Sequence, residues 1–170
     1  PDLAAIQTQF HHLIRTIPGN GLIVAPGIDD PVHEVLQMGC WTPTARFGQP
    51  SHRAALPEDN GEQWSAKAGQ GPTFDVHLND DNLGTVRWSQ LGEHNMMNGL
   101  AAIAAARHAG VQPERAIDAL SDFSGVLRRM DLIAEVGETF VYDDFAHHPT
   151  AIRKTLQGLR KQVGNDEIIA

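Results

Sequence analysis

The segment over residues 139–163 constrains the fold more than any other part of the chain. Its start, Thr139–Tyr142, is β-branched and aromatic and predicts a strand that runs into a buried sheet. A helix is expected from Pro149, because proline in a first helical turn loses no hydrogen bond. Apolar residues then recur at helical spacing, at Ile152, Leu156, Leu159 and Val163. Four polar residues lie between the two elements: Asp143, Asp144, His147 and His148.

This order places carboxylates and imidazoles at the carboxyl end of a strand and just before a helix N-terminus. In open α/β sheets ligands bind at that edge, and a helix N-terminus favours anions. The alternative is a helix cap followed by a few solvated loop residues. The pattern alone predicts an α/β fold and leaves both interpretations open.

Composition narrows the class of protein. The 170 residues suit one ordinary domain or parts of two, and the net charge of -8 argues against nucleic-acid or membrane-surface partners. The single cysteine, Cys40, excludes an internal disulfide framework and fits a reducing, cytoplasmic compartment. No apolar run is long enough to span a bilayer. The chain begins at Pro1 and ends in what resembles the start of a strand, 167–170, so we expect a piece of a larger protein.

The first forty residues predict a β–α unit. A helix is expected over 2–17 with Asp2 as its cap, followed by a short buried strand over 22–25. A second helix follows, with a proline early in its first turn. Asp29 and Asp30 precede that proline; a binding site is conceivable there, but we interpret them as helix caps.

Residues 41–90 predict a mixed sheet. Segment 49–61 is rich in Pro, Ser and Asn and is expected to be a loop, and 79–84 to be a rather long hairpin connection. Antiparallel edge strands that extend a parallel sheet would account for the remainder. The predicted strands are 44–47, 63–68, 73–78 and 85–89.

A second polar cluster opens an alanine-rich helix. Gly92 frees the backbone for a turn, and the helix is expected to end near Gly110. His94 and Asn98 are four residues apart and therefore face the same way. An asparagine amide offers the paired donor and acceptor that an adenine edge requires. The alternative is a set of polar first-turn residues without a ligand.

Together, three motifs resemble the Mur ligases, the ATP-dependent amide ligases of peptidoglycan synthesis. They are Gly-x-His-Asn-x-x-Asn-x-x-Ala-Ala (92–102), Gly-Val-Leu-Arg-Arg-Met (125–130) and Asp-Asp-Phe-Ala-His-His-Pro-Thr (143–150). The resemblance covers essentially the whole chain. It implies the latter part of a central ATP-binding domain over 1–125, followed by the start of a Rossmann-like C-terminal domain over 126–170.

The resemblance also implies roles for particular residues. The helix-start residues His94, Asn95 and Asn98 would meet the adenine of ATP, and Asp144 the ribose. Arg129, rather than Arg128, would contact the phosphates and take part in catalysis. The further catalytic residues implied by the family are His147 and His148, which would approach the phosphates or the acyl centre.

The reaction implied is amide formation through an acyl phosphate, with ATP and Mg²⁺ as cofactors. The substrates would be UDP-N-acetylmuramate and a murein tripeptide, since the likeness is greatest to the peptide-adding branch of the family. Alternatives are the alanine-adding branch, another amide ligase of the superfamily such as a cyanophycin- or folate-type enzyme, or a nucleotide-binding or interaction module without chemistry. The sequence leaves the oligomeric state open.

One departure from the family affects activity. The chain has no Gly-x-x-x-x-Gly-Lys-[Ser/Thr] phosphate loop. The carboxylate and histidine expected to hold Mg²⁺ are also missing, so we predict no metal ligands within this chain. We therefore expect the 170 residues alone to be inactive.

Overall fold

The computed structural model describes residues 2–50, 61–88, 90 and 92–170. Helices and strands alternate from residue 3 to 48, and three further strands, two helices, two strands and a last helix follow, which gives the expected α/β composition. The helices are α1 (Leu3–Ile14), α2 (Asp30–Gln37), α3 (Glu93–His108), α4 (Pro113–Ser121) and α5 (Pro149–Val163). The strands are β1 (Ile23–Pro26), β2 (Thr44–Gly48), β3 (Glu62–Ala68), β4 (Thr73–Leu78), β5 (Asp81–Arg87), β6 (Asp131–Val136) and β7 (Thr139–Asp143).

The main sheet contains five strands in the order β1-β2-β3-β4-β5. The first three strands pair in parallel, and β4 and β5 join them as antiparallel neighbours. Antiparallel strands therefore extend a parallel sheet, as the sequence predicts. The carboxyl ends of β1 and β2 lie at the same edge, because the two strands run in the same direction.

The hydrophobic core lies where α3 and α4 cover this sheet. Its largest fully buried side chains are Trp64, Phe74, Leu100, Ile103, Val76 and Val86. The strand predicted over 73–78 is confirmed as β4, in which Phe74 and Val76 are buried while Asp75 and His77 are less so. The core therefore fixes the position of α3, the helix that carries His94 and Asn98.

The connection between β4 and β5 is shorter than predicted. We expected a loop over 79–84, but β5 begins at Asp81, which pairs with Leu78. Asn79 makes the tight turn possible because its backbone adopts the left-handed conformation, with φ of 53°. The polar start of β5 resembles a loop in sequence, and this explains the error. Ser89, at the end of the predicted strand, and 51–60, within the predicted loop, lie outside the described residues.

Two of the three predicted helix caps in the first unit, Asp2 and Asp29, are confirmed, whereas Asp30 is the first residue of α2 and not its cap. The Asp2 carboxylate accepts a hydrogen bond from the Ala5 backbone N–H at 2.9 Å. The Asp29 carboxylate accepts one from the Val32 N–H at 3.2 Å, which supports capping rather than a ligand site. Helix α1 ends at Ile14, earlier than expected.

The C-terminal part differs from the prediction of a buried sheet. Strand β7 pairs with β6 in a two-stranded hairpin, and within the described ranges no third strand joins them. As a result, Phe140 and Val141 are 52% and 40% exposed. Residues 167–170 form no strand either, contrary to expectation.

None of the helices in the described ranges is long and apolar enough to cross a membrane.

Candidate functional site

A cavity of about 670 Å³ lies between α3, the linker from α4 to β6, the end of β7 and α5. The chain reaches it from segments that are far apart in sequence, which is why sequence spacing alone could not establish the cluster. Five residues predicted to bind a nucleotide line this cavity: His94, Asn95, Asn98, Arg129 and Asp144. We name it the nucleoside cavity after that prediction.

The start of α3 supplies the first side of the nucleoside cavity. Gly92 caps the helix with φ of 88°, a conformation that L side chains rarely adopt. A Cβ at this position would lie 2.9 Å from the His94 ring, so glycine also leaves room for the imidazole. His94 and Asn98 lie one turn apart and also line a second cavity next to the first.

Burial and charge act together on His94. Desolvation lowers the pKa of His94 below its usual value near 6.5, and the neighbouring Lys154 charge lowers it further. The Asp144 carboxylate raises the pKa of His94 and Arg129 lowers it, so both groups act on the imidazole across the cavity. At neutral pH His94 is therefore mostly uncharged, with one ring nitrogen able to donate a hydrogen bond and one able to accept.

The linker supplies the second side through Arg129, whose side chain lines the nucleoside cavity. Its neighbour Arg128 does not line this cavity, because its side chain turns to the β7–α5 loop. There the Arg128 Nε donates to the Asp143 carboxylate at 3.1 Å, and the guanidinium lies 5.0 Å from the Phe145 ring centroid. The geometry thus separates two arginines that the sequence places side by side.

Asp144 has a structural task as well as a place in the cavity wall. One of its carboxylate oxygens accepts from the Met130 N–H at 3.0 Å, and the other accepts from the Ala146 N–H at 2.8 Å. The side chain therefore joins the linker to the β7–α5 loop. Each oxygen keeps a second lone pair, so these bonds leave Asp144 able to accept a ligand hydroxyl.

The two histidines of the same motif lie away from the nucleoside cavity. The His147 Nδ1 is 3.0 Å from the Phe145 carbonyl oxygen, and its ring lies 5.0 Å from the Phe145 ring. His148 caps α5, because its Nδ1 accepts from the Thr150 N–H at 3.3 Å. The structure thus gives both side chains local contacts, and their catalytic role stays a prediction.

Sequence reasoning missed the contribution of α5. A second cavity, of about 980 Å³, lies between α5 and the carboxyl ends of β1 and β2. Four cationic side chains of α5 line it: Arg153, Lys154, Arg160 and Lys161. Their recurrence along one helix was the available signal, but we considered only the apolar period of that segment.

Metal binding finds no support in the side chains of this part of the protein. Residues 2–50, 61–88, 90 and 92–170 contain no group of three or more His, Cys, Asp or Glu residues that could hold a metal ion.

Comparison with known proteins adds an independent line of support. The family model for the Mur ligase, glutamate ligase domain matches residues 128–170. The UDP-N-acetylmuramate–L-alanyl-γ-D-glutamyl-meso-2,6-diaminoheptandioate ligase of Escherichia coli K12 is 46% identical over 165 residues, covering 96% of this chain and 34% of that relative. The UDP-N-acetylmuramate–L-alanine ligase of Salinibacter ruber is 32% identical over 169 residues, covering 99% of this chain and 34% of its own length.

A solved structure agrees with the sequence comparison. The murein peptide ligase of Psychrobacter arcticus 273-4 superposes with a TM-score of 0.71 at 41% identity, covering 96% of this chain and 33% of that one. The chain thus spans about a third of the length of the relatives it matches.

Proposed function

This chain belongs to the Mur ligase family, and on that premise we propose that it forms the nucleotide-binding part of an ATP-dependent ligase. The ligase joins the peptide L-alanyl-γ-D-glutamyl-meso-diaminopimelate to UDP-N-acetylmuramate in peptidoglycan recycling. One observation carries the proposal: His94, Asn98, Arg129 and Asp144 line one cavity although they come from separate segments. Both substrates and ATP are cytoplasmic metabolites, so we place the enzyme in the cytoplasm.

The nucleoside cavity fits ATP in size and in chemistry. A volume of about 670 Å³ lies within the usual range for ligand pockets. The Asn98 amide can pair with the adenine edge, and an uncharged His94 can stack on the purine or exchange a hydrogen bond with it. Arg129 offers a planar fork of donors, which suits a phosphate. Asn95, which lines the same cavity, would lie beside the base.

The residues of this chain bind and orient the reactants. When bound, ATP supplies the phosphoryl group that activates the carboxylate of UDP-N-acetylmuramate for attack by the peptide amine. Such transfer depends mainly on positioning and on charge stabilisation. Arg129 would stabilise negative charge on the phosphates, and Asp144 would orient the ribose while holding the linker. His147 and His148 are retained as candidates for contacts with the acyl centre.

The donor set does not fit Mg²⁺ within the described residues, as stated above. Mg²⁺ is nevertheless expected with ATP, because phosphoryl transfer generally uses it at the phosphates. The domain boundary near residue 126 is proposed on the same basis, since the linker over 122–130 separates the five-stranded sheet from the β6–β7 hairpin.

The peptide, rather than free L-alanine, is proposed as the amine substrate. The support is the difference between 46% identity to the peptide ligase of Escherichia coli and 32% identity to the alanine ligase of Salinibacter ruber. The second candidate, an alanine ligase, rests on the latter similarity.

Phosphate release tests the proposal in the gene product that contains this sequence. Supplied with ATP, Mg²⁺ and UDP-N-acetylmuramate, it should release phosphate with the tripeptide and much less with L-alanine. The reverse preference would favour the alanine ligase. ATP binding without turnover on any amine would favour a binding module. The 170-residue chain assayed alone is expected to give no turnover.

A further inference from the structure

The linker that carries Arg129 has an unusual backbone. Arg128 and Met130, on either side of Arg129, have φ of 60° and 56°. Residues that carry a Cβ adopt this left-handed backbone conformation at a cost in free energy. Two such residues separated by only one position therefore need specific contacts to hold them. The contacts around these two residues therefore determine the direction of Arg129.

Both residues are held by hydrogen bonds to the loop between β7 and α5, Arg128 by the Phe145 backbone and Met130 by the Asp144 side chain. The Phe145 N–H donates to the Arg128 carbonyl oxygen at 2.8 Å. The Met130 N–H donates to the Asp144 carboxylate at 3.0 Å. The Arg128 N–H in turn donates to the Asp131 carboxylate. The backbone is thus fixed immediately before and immediately after Arg129.

The Arg128 side chain adds one contact to the end of β7 and one to that loop. Its Nε donates to the Asp143 carboxylate at 3.1 Å, and its guanidinium lies over the Phe145 ring at 5.0 Å. The two charged side chains are 59% and 38% exposed, so the ion pair alone contributes little. Together, the ion pair, the ring contact and the backbone hydrogen bond hold the linker in one conformation.

We propose that Arg128 is a positioning residue for Arg129. By holding the linker against Asp143 and Phe145, Arg128 keeps the Arg129 guanidinium in the nucleoside cavity. The inference rests on the proposed function, because it assigns Arg129 to the phosphates of ATP. Arg128 itself is not a phosphate ligand: its guanidinium is occupied by Asp143 and Phe145, and it lines neither cavity.

A double-mutant cycle on ATP affinity tests the proposal. In the gene product that contains this sequence, Arg129→Ala should raise the Kd for ATP by about tenfold to a hundredfold, the range for a lost charge-assisted hydrogen bond. Arg128→Ala should raise it by about fivefold, the size of a typical coupling between neighbouring sites. In the Arg129→Ala background, Arg128→Ala should change the Kd by less than about twofold, because its effect passes through Arg129.

Further variants separate positioning from folding. Asp143→Asn should raise the Kd in the same direction but by less than Arg128→Ala, because it removes the ion pair and leaves the contact with the Phe145 ring. Arg128→Lys should recover only part of the affinity, because an ammonium lacks the planar fork. Arg107→Ala is the matched control: Arg107 pairs with Glu62 outside both cavities, so the ATP affinity should not change. Circular dichroism of each variant checks that it is folded.

The possible failures are distinguishable. If the wild-type protein does not bind ATP, the proposed function is wrong and the role of Arg128 is wrong with it. If Arg129→Ala leaves binding unchanged, Arg129 is not the residue that Arg128 positions. If the two substitutions add fully, Arg128 contacts the nucleotide directly. If Arg128→Ala lowers the melting temperature but leaves ATP affinity unchanged, the contacts are merely structural. Each of these results would overturn the proposal.

Discussion

The substitution Gly99→Ala tests how tightly the core holds the helix that carries Asn98. Gly99 is buried in α3 and lines the nucleoside cavity. A Cβ there would lie 2.8 Å from Trp88 Cη2 and 3.3 Å from Phe74 Cζ. The two rings contact each other edge to face, with centroids 5.5 Å apart, and they are 9% and 2% exposed. Both rings are therefore largely buried, although Trp88 also lines the nucleoside cavity.

The expected change in the free energy of unfolding on Gly99→Ala is the sum of two opposing effects. Carbon atoms in contact are usually about 3.5–4.0 Å apart, so the new methyl group requires a shift of about 1 Å. Such overpacking costs about 1–3 kcal/mol. Alanine is favoured over glycine within a helix by about 1 kcal/mol, which opposes this cost. We expect a net loss of about 1 kcal/mol in the free energy of unfolding, together with weaker ATP binding because Asn98 moves with the helix.

Urea denaturation, followed by tryptophan fluorescence, measures the change in stability. Ala105→Gly is the matched control, since Ala105 is exposed on the same helix and should lose about 1 kcal/mol through helix propensity alone. The packing argument would be refuted if Gly99→Ala stabilised the protein by as much as Ala105→Gly destabilises it.

Four further predictions follow, three for single residues and one for an ion pair. Asn98→Ala should weaken ATP binding by about tenfold and reduce the preference for ATP over GTP in titration calorimetry, because the amide pairs with the adenine edge. The pKa of His94 is lowered in the folded state, so the unfolded chain binds more protons below about pH 6.5; stability should fall as pH drops below that value, and His94→Gln should remove this part of the slope in urea titrations. Asp144→Asn should cost about 1–3 kcal/mol in the same assay, because a backbone N–H loses its acceptor. The exposed Arg107–Glu62 pair should contribute less than about 1 kcal/mol in a double-mutant cycle.

Local patterns predicted most of the fold. The caps at Asp2 and Asp29 follow from short-range hydrogen bonding, and the strand predicted over 73–78 is β4 in the structure. The β4–β5 turn was wrong because a polar strand and a loop have similar composition, and only the pairing partner distinguishes them. Burial of β7 was wrong because it depends on neighbouring strands, which the segment's own residues do not specify.

The candidate site was only partly predictable. The family resemblance implied nucleotide-binding roles for residues 94, 98, 129 and 144, but their meeting in one cavity depends on how α5 and the linker fold back onto α3. The separation of Arg128 from Arg129 depends on positive φ values that no local pattern of arginines indicates. The basic residues of α5 recur in the sequence, but only the fold places them beside the carboxyl ends of β1 and β2.

A crystal structure of the gene product with a non-hydrolysable ATP analogue tests the central claim most directly, namely that α3 and the linker bind one nucleotide between them. We predict the adenine edge within hydrogen-bonding distance of Asn98, the His94 ring against the base, and the phosphates towards Arg129. A nucleotide bound away from both Asn98 and Arg129 would contradict the account.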